Sequence, residues 1–80
     1  MPISETSAIE RVARVLAAEH ASANAHGDQH SASPDVDATW PEYRDQAVAV
    51  LKTLREPDAA MAAAGDAGVW EKMVLAAIGD

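Results

Sequence analysis

Apolar positions along this chain recur at helical spacing in several stretches, separated by clusters of small, polar and helix-breaking residues. In the first stretch, Ile9, Val12, Ala13 and Leu16 fall at i, i+3, i+4 and i+7, one face of a helix. Glu10, Arg11, Arg14 and Glu19 lie mostly off that face. Two starts are open. Ser7 with Glu10 three positions on makes a capping box, in which each side chain satisfies an orphan backbone donor. Alternatively Ser4 caps, and Ile3 packs back onto Ala8. Glu10 and Arg14 stand four apart in the favoured order, which adds about 0.3 kcal/mol. The spacing predicts a helix over 7–23.

Residues 22–38, SANAHGDQHSASPDVDA, carry no periodicity and are predicted to form a flexible loop, with Val36 tacking it to the core. A second helix, over 40–56, has the clearest start in the chain. Thr39-Trp40-Pro41-Glu42 combines a Thr cap, a proline where its missing N–H is harmless, and a Glu at the capping-box position. Tyr43, Ala47, Val50, Leu51 and Leu54 then make a broad apolar stripe. Pro57 disfavours helical geometry at Glu56 and ends it. A short helix over 57–64 follows, with Asp58 near its positive end and Gly65 as a left-handed stop. Asp66 can cap the last helix, over 67–78. There Val69, Trp70, Met73, Val74, Ala77 and Ile78 form an apolar face, with Glu71 and Lys72 toward water. The pattern predicts an all-α fold: one domain over 1–80, a small bundle of three main helices plus one short helix. A long loop separates the first and second.

Composition makes the bundle thin. Hydrophobic residues are 49% of the chain, yet nineteen residues are alanine, Phe is absent, and the aromatics are Trp40, Tyr43 and Trp70 alone. A chain this short buries only roughly 60% of the surface its unfolded form exposes. Small cores of this kind are often completed by a partner, most simply a second copy in a homodimer. Without cysteine there is neither a disulfide framework nor a thiolate metal site. The net charge of −7 argues against nucleic acid as a ligand. No run is apolar enough to span a membrane. Residues 1–9 lack the basic and apolar pattern of a signal peptide, so the cytoplasm is the expected compartment.

Candidate chemistry is sparse. His26, Asp28 and His30, with His20 upstream, are the only cluster with the flavour of a zinc or nickel site. His26 and His30 could clamp an ion at i, i+4 of a helix, but Gly27 breaks that geometry, and a solvated loop is the preferred reading. No metal and no cofactor is expected. His beside Asp, with Ser22, Ser31 and Ser33 near, has the grammar of base catalysis. However, a loose loop supplies neither an oxyanion hole nor preorganisation. Gly65, Gly68 and Gly79 follow no strand and make no phosphate loop. Asp35 and Asp37 lack the other residues of a calcium loop. Arg11, Arg14, Arg44 and Arg55 are outnumbered by acids, and read as part of a mixed solvated face. No catalytic residue is assigned, and an enzyme is not expected.

The aromatics are the better candidates. Packing into the small core or covering its rim is the preferred role for Trp40 and Trp70. The functional alternative makes Trp40, Tyr43 and Trp70 anchors of an interaction, since Trp is enriched at hot spots. Of the two tryptophans, Trp40 at the helix start is expected to be the exposed one and Trp70 the buried one.

Trp40-Pro41-Glu42-Tyr43, the Leu54-Arg55-Glu56-Pro57 step, Met61 with Ala64-Gly65, and Trp70 with Met73, Ala76, Ala77 and Ile78 resemble small uncharacterised helical proteins of proteobacteria. Many of those are prophage-associated. Ile9-Glu10-Arg11-Val12-Ala13 resembles their opening, and about two-thirds of the chain is covered. The resemblance implies a bacterial accessory context and no activity. The function expected is a non-enzymatic helical module that binds another protein or itself. The alternative is a small metal- or ligand-binding protein using the His20–His30 region. Acidic mimicry of nucleic acid, suggested by the charge alone, comes third.

Overall fold

The computed structural model describes residues 3–24 and 32–79, with side chains for 3–22 and 36–79. Helices account for every regular element among them. These are α1 (Ala8–Asn24), α2 (Ala32–Thr39), a 3-10 turn (Trp40–Tyr43), α3 (Arg44–Leu54), α4 (Ala59–Ala64) and α5 (Ala67–Ile78). The all-α bundle expected from the periodicity is therefore the fold, and no strand occurs among the described residues.

Of the two candidate starts for α1, Ser7 is the one used. Its Oγ accepts from the Glu10 backbone N–H at 3.1 Å, and its carbonyl accepts from Arg11 N–H at 3.0 Å. The Glu10 carboxylate accepts from Arg14 Nε at 2.8 Å. Ser4 instead accepts from its near neighbour Thr6, and Ile3 is exposed, so that alternative start fails.

The stretch expected as a loop over 22–38 is partly helical. Residues 22–24 complete α1, and α2 occupies the C-terminal half of the stretch. Periodicity could not reveal α2, because eight residues with one branched aliphatic have no apolar face of their own. Contact with α1 stabilises it instead: the two helices lie against each other, and Arg14 Nη1 donates to Asp37 Oδ1 at 2.7 Å. Val36, the expected tack, is half-buried. Thr39 correspondingly does not act as a cap. It is the last residue of α2, its backbone is already helical (φ −111°, ψ −15°), and its side chain makes no capping hydrogen bond. Pro41 does sit in the first turn that follows.

Asp66 caps the last helix as expected, whereas the short helix begins at Ala59 and not at Pro57, with Asp58 as its N-cap instead of a residue of its first turn. Asp58 Oδ1 accepts from Met61 N–H at 2.9 Å, and Asp66 Oδ1 from Val69 N–H at 3.0 Å. Gly65, expected in a left-handed stop, is extended (φ −161°). The next residue must already cap α5, which leaves no room for a reversing turn. The left-handed residue is Gly79 (φ 98°), whose N–H closes α5 onto the Leu75 and Ala76 carbonyls.

The core is small. Ile9 and Ala13 of α1, Ala47 and Leu51 of α3 and Val74 of α5 form its buried cluster. Ala13 and Ala47 are completely buried, so α1 and α3 each bring a single methyl group to the cluster at these positions. Trp40, Tyr43, Val48, Trp70, Ala77 and Ile78 pack around this cluster, each half-buried. α4 buries no residue at all.

Candidate interaction surface

Two groups of residues compete for a functional role: the aromatics at the core margin and the apolar side chains left exposed. Trp40, expected to be exposed, and Trp70, expected to be buried, are alike half-buried on the core cluster. They do different things there. The Arg14 guanidinium lies 5.3 Å from the Trp40 ring centroid, a cation–π distance, while also gripping Glu10 and Asp37. Those hydrogen bonds, the one to Asp37 foremost, raise the Arg14 pKa further above its ordinary value. Tyr43 meets His20 in a tilted ring contact at 6.1 Å. Trp70 donates its indole N–H to the Leu54 carbonyl at 2.6 Å, tying the first turn of α5 to the last residue of α3. Among the described residues, no ring contact joins Trp70 to Trp40 or Tyr43, so the three aromatics do not form one anchor.

His26, Asp28 and His30 lie outside the described residues. His20 is described, on α1, in contact with Tyr43. Among the described residues, no three His, Asp or Glu side chains converge as metal ligands would.

The surface that stands out is one the sequence reading did not single out. Ile3, Val15, Val50, Leu54, Met61, Val69 and Met73 are all exposed. Along α5, residues advance by about 100° each. Trp70, Val74, Ala77 and Ile78 take one side, toward the core. Val69, Met73 and Ala76 form a second apolar line, roughly a third of a turn away. Val69 is 52% and Met73 61% exposed, so no element among the described residues covers this second line. The Trp70–Leu54 hydrogen bond sets its start beside the end of α3, where Leu54 is also exposed. The signal was present in the spacing, since six apolar positions on a twelve-residue helix make a stripe wider than one neighbour can cover.

A second apolar feature runs between α1 and α3. An open cleft of about 360 Å³ is lined by Ala8, Arg11, Val12, Val15 and Leu51. Arg11 is its one charged wall. It has the character of unfilled packing space between two helices rather than a set of converging polar groups.

No family model, curated protein or solved structure matches this chain.

Proposed function

We propose that this protein is a non-enzymatic helical interaction module, acting in the cytoplasm of a bacterium and binding another protein or itself through apolar helix faces. A prophage-associated accessory role, of the kind the sequence resemblance implies, fits a module of this sort. One observation carries the reading. Among the described residues only three large apolar side chains, Ile9, Leu51 and Val74, are buried, whereas seven are exposed. Scattered surface leucines mean little, but here the exposed set includes a continuous line on α5. Contiguous apolar surface that water must otherwise cover marks interaction sites in monomers.

Light scattering of the intact protein, combined with a pull-down using the same chain, tests the reading. Self-assembly or recovery of a partner is expected. A particle that stays monomeric at roughly 100 µM, about two decades above a micromolar Kd, and that recovers no partner overturns it.

A further inference from the structure

We propose that α2 is a salt-released strap. At low ionic strength it is locked onto α1. When salt screens the Arg14–Asp37 pair, it unwinds and leaves, while the core of α1, α3 and α5 stays folded. α2 cannot hold its own shape. It has eight residues, and isolated helices shorter than roughly 12 residues are marginal in water. Asp37 worsens this, because it stands in the last turn, where the carbonyl end of the helix dipole repels a carboxylate. No basic residue of α2 offsets it there. Arg14 supplies the missing cation from α1, at 2.7 Å. The pair that holds α2 in place therefore also neutralises the charge that unwinds it, so docking and helix formation go together.

The lock is open to dissolved ions, since the side chains of Arg14 and Asp37 are 36% and 71% exposed. Apolar packing adds little to it. Among the described side chains of α2, at 36–39, none is fully buried: Val36 and Thr39 are half-buried, and Asp37 and Ala38 are exposed. Underneath, Ala17 of α1 is 1% exposed and yet is no member of the core cluster. It stands three positions after Arg14, on the face of α1 against which α2 and the Trp40–Tyr43 turn lie. Release of α2 bares part of that face and leaves Arg14 with Glu10 and the Trp40 ring. Ionic strength thus sets how much of α1 the molecule presents.

The test is amide hydrogen exchange of the full chain by NMR at roughly 10 mM and roughly 1 M NaCl, between which the Debye length falls from about 30 Å to about 3 Å. Protection is taken relative to the intrinsic rate at each salt. For the amides of 36–39 it is expected to fall about two- to five-fold, the span of an exposed ion pair, while Ala47 and Leu51 keep theirs. Asp37→Ala should show the lowered protection already at low salt and no further response. Since Asp37 is exposed, this variant should keep its core, and the salt comparison on the natural protein stands without it. Three results overturn the strap. One is a salt response shared equally by Leu51, which means that α2 opens only with the whole molecule. Another is protection at 36–39 that ignores salt, whether high or absent throughout. The third is a rise of protection in Asp37→Ala, which means that repulsion from the helix end outweighs the pair.

Discussion

Two side chains join helices that are distant in sequence. Trp70 reaches across from α5 to the Leu54 carbonyl, one of the four carbonyls that a helix end leaves without an internal partner. Trp70→Phe keeps an aromatic ring on the core and removes only the donor. A loss of about 1 kcal/mol of stability is expected by urea titration; an unchanged midpoint would mean that water replaces the indole without cost. Arg14 is the other. It holds Glu10 within α1 and Asp37 of α2, with its guanidinium over Trp40. Arg14→Ala and Arg14→Lys should both lower the melting temperature, because an ammonium cannot reproduce the planar fork. The deficit should narrow in high salt, as the contact is solvent-accessible. The raised pKa of Arg14 means that its contribution is fully present below the unfolded-state value. It is lost only as pH rises through the folded one, and both lie in strong alkali. The difference between the natural protein and Arg14→Ala should therefore stay flat from roughly pH 7 to roughly pH 9; a slope across that window would contradict the assignment.

Among the elements, caps of identical chemistry serve helices of different standing. Asp58 and Asp66 each accept one backbone N–H at close to the same distance, and each is worth about 1 kcal/mol to its own helix. Only α5 places a residue in the core. Asp66→Ala should therefore lower the global melting temperature, while Asp58→Ala should reduce helicity slightly and leave the melt in place. Equal effects would show that α4 is coupled to the core after all. The α1–α3 crossing offers another check. Ala47 is fully buried in the cluster it shares with Ile9 and Ala13 of α1, so Ala47→Leu should overpack the core and cost about 1–3 kcal/mol in denaturant unfolding. How legible these elements were follows from the range of the forces that set them. Ser7, Asp58 and Asp66 bond to backbone three residues away, so the sequence window contained the whole interaction. Gly65 was misread because glycine permits several conformations and the next helix chose among them. α2 was missed because Arg14, more than twenty residues upstream, supplies what its own sequence lacks.

At the level of the whole molecule, periodicity identified which residues share a helix face but not whether a neighbour exists to cover it. Val69, Met73 and Val74 therefore looked equivalent, although only Val74 is buried. The same holds for the tryptophans, expected to be one exposed and one buried: both are half-buried, and Trp40, Tyr43 and Trp70 enter three separate contacts. The shortest α-helix stands apart from the core: the packing around the buried cluster reaches the Trp40–Tyr43 turn but no residue of α4. α4 contributes nothing to the buried interior, so its backbone should open without unfolding the remainder. Its amides are expected to exchange with deuterium far faster than those around Leu51 and Val74; comparable protection would contradict that. A segment of this kind is a distance-keeper, whose span matters and whose residues do not. Exchanging Ala59–Ala64 for a flexible glycine–serine stretch of matching reach should preserve the rest of the bundle. That makes α4 the natural place to insert a reporter or a folded guest domain without disturbing the rest of the bundle.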